Sequence, residues 1–391
     1  MLTHLLYALM LFLVATNAIS AAYVLAAIWR VKAFRRNQRT DATFSPPLTI
    51  LKPVCGLEAD LYENLRSFCQ QDYPVYEVIF GVRDRNDPAV PVLRRLIKDL
   101  PHVDISLVID EHTVGPNLKA SNLVNIYKHA KYGFLAIADS DMRVDENYAA
   151  SVVAPLANSA TGVVTCLYSG TPRRGFASRL GSMFINEWFL PSVLVSAALS
   201  DIRFGLGATI VVRRELLEEI GGFRKLSAYL ADDHMLGKLI CAHGYKVALS
   251  NYVVENIVHE KSLWALFLHE LRWARTIRTV EPVGHAFSFL MYGVPLALFG
   301  LLAVDLTIDW KIFGVALVAV AVLLRVWMHF VVRQKLGLTT GLWTLLLVPL
   351  RDVLCFVVWA ASFFGRRIEW KDIAFDVATD GHMKAVEEIR A

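Results

Sequence analysis

Residues 135–144 read LAIADSDMRV. Four apolar residues, Leu135, Ala136, Ile137 and Ala138, run directly into Asp139-Ser140-Asp141. In a strand, positions i and i+2 project from one face, so a strand ending in Asp-Ser-Asp aims two carboxylates at one spot beyond the sheet edge. Two hard oxygen ligands so placed suit Mg2+ or Mn2+ shared with a diphosphate. Asp and Ser also make solvated turns, so the flanking chain has to decide between the two readings.

The 391 residues are 55% hydrophobic and 19% charged, with formal net charge +4 and mean hydropathy +0.44. That is too apolar for an ordinary soluble enzyme and too charged for an all-membrane transporter. The apolar residues gather towards the two ends, which reads as a globular domain anchored in a membrane. Cys55, Cys69, Cys166, Cys241 and Cys355 form no CxxC pair and have no metal spacing. They read as buried thiols in a reducing compartment. No basic tract is interleaved with aromatics, so nucleic acid is not an expected partner.

Outward from the centre, residues 5–28 are about long enough to span a bilayer of ~30 Å. Arg30, Lys32, Arg35, Arg36 and Arg39 follow, with no Lys or Arg before them. This charge order fits an uncleaved anchor and places the following chain in the cytosol. From residue 47 to about 280, strand-like runs (48–51, 78–82, 105–109, 135–138) alternate with helical ones (61–69, 90–100, 121–129). Such alternation predicts an α/β fold, a mostly parallel sheet with helices on both faces. Ligands of such sheets bind beyond the carboxyl ends of the strands. Residues 287–306 and 312–332 are each long enough to span. Residues 342–364, interrupted by Pro349 and Arg351-Asp352, predict a kinked interfacial or re-entrant segment, with a full span as the alternative. The expected organisation is an anchor at 1–30, a cytosolic catalytic domain at 45–280, membrane segments at 285–370 and a cytosolic tail at 371–391.

Four clusters in the central region carry possible chemistry: Asp84/Asp87, Asp139/Asp141, Asp232/Asp233 and His269/Arg272/Trp273. An aspartate pair after an early strand can hold a base or ribose hydroxyl, although Arg85-Asn86-Asp87-Pro88 is also a strong turn sequence. Asp139 and Asp141 can hold a metal on a diphosphate. Asp232 reads as the N-cap of a helix and Asp233 as a first-turn carboxylate able to act as general base. Arg272 can neutralise a departing phosphate; Trp273 can wall off the site or anchor at a membrane interface. Those roles together describe transfer from a nucleotide diphosphate donor.

The set resembles glycosyltransferases with a nucleotide-sugar-binding GT-A domain, and most closely the glucosylceramide synthase family. That family shows a D, D, D, (Q/R)xxRW pattern, met here by Asp87, Asp139, Asp233 and His269-Glu-Leu-Arg272-Trp273. LKPVCGLEADLYENLRSF and DYPVYEVIFGV near the start, and Arg351, Asp352 and Trp370 in the tail, extend the resemblance over nearly the whole chain. Position 269 is His where the family has Gln or Arg, so the charge there varies near neutral pH.

The resemblance implies inverting transfer of one sugar from a UDP-sugar to a membrane-lipid hydroxyl. It implies a divalent cation at Asp139 and Asp141, Asp233 as base, and Lys119 of NLKASNL at a donor phosphate. Asn186–Val195 (NEWFLPSVLV) and HELRWARTIR are similar to bacterial members, especially hopanoid biosynthesis-associated glycosyltransferases. That likeness implies UDP-GlcNAc as donor, a hopanoid such as bacteriohopanetetrol as acceptor, and a bacterial inner membrane. Ceramide with UDP-glucose is the alternative pair. A processive polysaccharide synthase and a non-catalytic scaffold are the rival classes.

Overall fold

Leu48–Pro53 (β1) is buried at every position, as expected for a strand covered on both faces, where a continuous apolar run replaces alternation. The computed structural model describes residues 2–36, 44–303, 308–339, 341–365, 367–370, 373–378 and 381–388. Arg39, Leu306 at the end of one expected span, and Arg366 lie outside them. The chain gathers into two compact units, taken in turn.

The first comprises Arg35–Arg179, Leu199–His259 and Arg366–Ala391. Around β1 run Tyr76–Val82 (β2), Ile105–Ile109 (β3), Phe134–Ile137 (β4), Met142–Arg143 (β5), Thr161–Pro172 (β6), Ile210–Arg213 (β7) and Lys246–Val258 (β8). They form one sheet in the order β3-β2-β1-β4-β7-β6-β8-β5. β1 pairs in parallel with β2 and β4, and β2 with β3. The intervening helices Leu61–Phe68, Ala89–Asp99 and Leu118–Tyr127 are the crossovers that parallel pairing demands. Leu48, Ile50, Phe68, Val78, Phe80 and Leu93 share one core with Tyr148 and Val164.

The sheet is mixed beyond β4. β7 pairs antiparallel with β4, Ile137 facing Ile210, and β6 antiparallel with β7. β8 lies parallel to β6. The start of β7 and the carboxyl ends of β1, β2, β4, β6 and β8 therefore share one edge. A second sheet, Arg367–Trp370 (β9), Ile373–Val377 (β10) and Met383–Glu388 (β11), is antiparallel in the order β11-β10-β9.

The second unit comprises Met1–Phe34, Leu180–Ala198 and Glu260–Gly365 and is helical. Among the described residues, four helices are long and apolar enough to cross a membrane: Leu11–Ala33, Phe176–Leu199, Lys311–Leu336 and Thr344–Ser362. Phe176–Leu199 contains a π-helical turn at Ile185–Phe189.

The expected bend sits elsewhere. Thr344–Ser362 is one unbroken helix with Pro349 inside it; the proline lies near the amino end and removes one i→i−4 bond. Pro282–Met291 and Gly293–Leu302 instead meet at 65°, within the stretch read as a straight span. Mid-helix charges are tolerated because they are paired. Arg351 meets Glu270 at 2.5 Å. Asp352 meets Arg325 at 2.8 Å, and Trp188 Nε1 donates to it at 2.8 Å. His329 Nδ1 lies 2.7 Å from Glu187 Oε1, both fully buried.

Candidate active site

Asp139 follows β4 by one residue beyond Ala138, at the shared sheet edge. Because β7 is antiparallel to β4, the tight turn Leu206–Thr209 that feeds it arrives at the same place. Gly207 in this turn lies among three charged groups. A Cβ there would stand 3.0 Å from Asp139 Oδ2, 3.2 Å from Asp233 Oδ2 and 3.5 Å from Lys119 Nζ. Residues 119, 139, 207 and 233 are far apart in sequence and converge on one point.

Each is held in its place. Asn117, fully buried, caps the helix Leu118–Tyr127 by accepting from the Ala120 N–H, which aims Lys119 outward from the first turn. Lys119 Nζ meets Asp139 Oδ1 at 2.6 Å and Asp232 Oδ2 at 4.0 Å. Asn117 Nδ2 donates to Asp232 Oδ1 at 3.2 Å and to the Tyr229 carbonyl at 2.9 Å. Asp232 is thus the first helical residue of Asp232–Ala242 and not its cap; Ala231 takes the cap position without a side-chain bond. The Asp232 carboxylate turns to Asn117 and Lys119 instead of the helix N–H groups. Asp233 accepts from the His234 N–H at 2.7 Å and from the Gly207 backbone.

Crowding of carboxylates shapes the electrostatics. Burial, then the neighbouring Glu58 and Asp139, push Asp141 up to about 7, against the Asn256 amide and Lys52. Burial pushes Asp232 up to about 6, with Lys119 opposing. Burial raises Asp233 as well, with Lys119 and the His234 N–H pulling it back. For Lys119, burial disfavours the charge, but Asp139, Asp232 and Asp233 outweigh it and raise its pKa. Asp141 is oriented by Asn256 Nδ2, which donates to Oδ2 at 2.8 Å, and its own carbonyl accepts from the Ile257 N–H at 3.0 Å.

Several residues here were not singled out in the sequence. Lys52, on β1 and fully buried, donates to the Asp139 backbone carbonyl at 2.6 Å and stands 3.5 Å over the Phe68 ring. Burial lowers its pKa to about 7, against the pull of Asp139, Asp141 and Glu58. Ser140 Oγ donates to Glu58 at 2.7 Å. Tyr168 of β6 has its pKa raised by burial and then by the charges of Asp233, Asp141 and Asp139. A lysine inside the apolar run LTILKP was the one legible sign among these.

The remaining expected residues are held by other partners or stand in the other unit. Asp84 is exposed and accepts from the Asn86 N–H at 2.8 Å. Asp87 accepts from the Gly56 N–H with both oxygens, at 3.0 and 2.9 Å, and from the Ala89 N–H at 2.8 Å, so its carboxylate ties two loops together. His269, Arg272 and Trp273 stand on the helix Leu263–Val280 of the helical unit. There His269 Nδ1 lies 2.7 Å from Glu260 Oε1 and its ring 4.3 Å from that of Trp273. Trp273 also stacks on Phe184 at 5.9 Å.

Asp139 and Asp141 carry the hard oxygen donors that a divalent cation takes. Among the described residues no three His, Cys, Asp or Glu side chains form an all-protein metal cage. Mg2+-type sites are commonly built from one or two carboxylates completed by substrate phosphates, and burial, then the charges of Glu58 and Asp139, make the ionised Asp141 costly in a way that a cation would relieve.

The fold and the sequence both have known counterparts. The mannosyltransferase PcManGT from Pyrobaculum calidifontis, solved with GDP-Man and Mn2+, superposes with a TM-score of 0.52 at 18% identity, covering 91% of this chain and 99% of that one. That likeness establishes the GT-A fold. Ceramide glucosyltransferase 3 of Caenorhabditis elegans is 27% identical over 250 residues, 62% of this chain and 54% of that protein. Ceramide glucosyltransferase of Komagataella phaffii is 39% identical over 101 residues, 25% of this chain and 20% of that protein. The chain spans about half or less of the length of these curated relatives. Glycosyl transferase family 21 matches residues 12–383. With the match extending over nearly all of its 391 residues, the chain belongs to glycosyl transferase family 21.

Proposed function

We propose that this protein is a membrane-associated, inverting glycosyltransferase that moves one sugar from a UDP-sugar to the hydroxyl of a membrane lipid. The observation that carries the reading is the convergence of Lys119, Asp139 and Asp233 around Gly207 at the sheet edge. The family membership and the GT-A fold support it.

Asp233, whose carboxylate burial makes more basic than usual, takes the proton of the lipid hydroxyl. The oxygen forms its bond to the anomeric carbon from the face opposite the diphosphate, and the bond to the diphosphate breaks with its electrons. A general base of this kind contributes ~10²–10⁴ in rate. Lys119 holds Asp139 in position and offers positive charge to the donor phosphates. Asp139 and Asp141 would hold a divalent cation, which supplies charge neutralisation to the diphosphate. Asp84 and Asp87 are assigned to the nucleoside and Asp87 doubles as a loop tie; His269, Arg272 and Trp273 are assigned to diphosphate or acceptor by the family pattern. In this reading the catalytic domain, expected at 45–280 but without Leu180–Ala198 and the residues from Glu260 on, which belong to the helical unit, faces the cytoplasm of a bacterial inner membrane, between an anchor at 1–30 and membrane segments at 285–370, with the tail at 371–391 also cytosolic.

For donor and acceptor, the local phrases at 186–195 and 269–278 favour UDP-GlcNAc and a hopanoid. The names of the curated relatives favour UDP-glucose and ceramide. Mass spectrometry of lipids from cells expressing the protein or Asp233→Asn, supplied with both acceptors, tests the reading. A hexosamine-bearing hopanoid lost in the variant supports the first pair, and a hexosylceramide lost in the variant the second. Product unchanged in the variant removes Asp233 as base, and no glycolipid from either protein overturns the proposal.

A further inference from the structure

The antiparallel sheet β9–β11 takes no part in the donor site, yet it is bonded to the segment that delivers Asp232 and Asp233. Residues 227–231 belong to no helix or strand of the main sheet. The helix they enter has no side-chain cap, so its first turn depends on what grips the chain just before it. The Leu230 N–H donates to the Gly381 carbonyl at 3.1 Å, and the Met383 N–H donates to the Ala228 carbonyl at 2.9 Å. Tyr229 forms an antiparallel bridge with His382, their rings 4.2 Å apart. Leu230, Phe375 and Met383 are buried together as a small separate core. On the opposite side Asn117 accepts nothing from this segment but holds it by two bonds, its N–H to the Ser227 carbonyl at 3.0 Å and its amide to the Tyr229 carbonyl at 2.9 Å.

We infer that the C-terminal sheet positions the general base: residues 228–230 add to it as a short extra strand, and Phe375, His382 and Met383 are positioning residues for Asp233. Between the Asn117 bonds on one side and this sheet on the other, the chain has little freedom three residues before the base. Main-chain pairing of this kind fixes register as well as position. A helix first turn displaced by about 1 Å is sufficient to cost ~10²-fold in rate. This inference rests on Asp233 being the base, and the experiment separates the two.

The test uses the full chain with Met383→Ala, the milder His382→Ala, and Lys384→Ala as the control, an exposed side chain on the same strand. Turnover, UDP affinity and backbone hydrogen exchange are measured for each. Met383→Ala and His382→Ala are expected to lower kcat by ~10–100-fold, with UDP affinity held and exchange accelerated at residues 228–233; Lys384→Ala should match the parent. Wild-type kcat in both variants, with Asp233→Asn inactive, overturns the positioning role alone. UDP affinity falling in step with kcat also overturns it, because that marks general loosening of the domain. An active Asp233→Asn overturns the underlying assignment of the base instead.

Discussion

Replacing Gly207 by alanine adds one methyl group at the point where the proposed site converges. The backbone at Gly207 lies outside the left-handed region that glycine alone tolerates, so alanine is allowed by the turn. The cost falls on the neighbours. At 3.0 Å from Asp139 Oδ2 and 3.2 Å from Asp233 Oδ2, the methyl is tighter than ordinary carbon–oxygen contact. Neither carboxylate is free to retreat: Asp139 is tied to Lys119 at 2.6 Å and Asp233 to the His234 N–H at 2.7 Å. Each has to give by a few tenths of an ångström. Scaled from ~10²-fold per ångström of misplacement, two such shifts predict a loss of about 10-fold in kcat/KM, or ~1.4 kcal/mol of transition-state stabilisation. The assay is sugar transfer under steady-state conditions, with Tm followed alongside. Gly207→Ala should fold as stably as the parent, and combined with Asp233→Asn it should be no worse than Asp233→Asn alone, since both act on one constellation. A Gly207→Ala enzyme with unchanged kcat/KM would refute the claim that these groups work together.

Three further outcomes follow from the same geometry. Lys52→Met should lower donor affinity by removing the amine that holds the Asp139 backbone carbonyl at 2.6 Å, measured by UDP titration. Because the folded-state pKa of Lys52 is lowered to about 7 from 10.5, the fold binds fewer protons than the unfolded chain between those values; the Lys52 contribution to stability rises with pH across that window, and Met should abolish that slope in a Tm-against-pH series. Asp141, raised to about 7 from 3.8, has the opposite sign. Its ionisation destabilises the cation-free fold progressively as pH rises through that range, so Asp141→Asn should raise the Tm of chelator-treated protein more at pH 8 than at pH 5, while weakening Mn2+ binding measured directly. Asp352→Asn leaves Arg325 buried without its counter-charge; removing one partner of such a pair typically costs ~3–5 kcal/mol, and thermal unfolding in detergent should show it as a large drop in Tm.

Much of the candidate site's placement was legible because it is local. The apolar run 135–138 ending in two aspartates announces a strand and a carboxylate pair without reference to the rest of the chain, and the strand–helix alternation of residues 48–138 gives the parallel half of the sheet. Asp232/Asp233 were legible as a helix start, though the cap position went to Ala231 because Asn117 and Lys119, over 100 residues earlier, claim the Asp232 carboxylate. What was hidden depends on pairing between distant strands. That Gly207 lies between Asp139 and Asp233 follows only from β7 running antiparallel to β4, and nothing in GLGAT specifies that direction. Asn256 reaches Asp141 for the same kind of reason, through β8. The membrane segments show a similar division: length and apolarity mark them, whereas the position of the bend, at residues 291–293 and not at Pro349, depends on how helices pack.

The buried ion pairs of the helical unit impose an order on its making. Glu187 waits for His329, Glu270 for Arg351, and Arg325 for Asp352, so the acidic residues of the first two pairs emerge from the ribosome 142 and 81 residues before their partners. A buried charge separated from its partner is costly; Glu187 lacks this partner until Lys311–Leu336 is made, and Glu270 and Arg325 lack theirs until Thr344–Ser362 is made. Thr344–Ser362 therefore closes two of these three pairs, and the helical unit cannot reach its final arrangement before that helix is made.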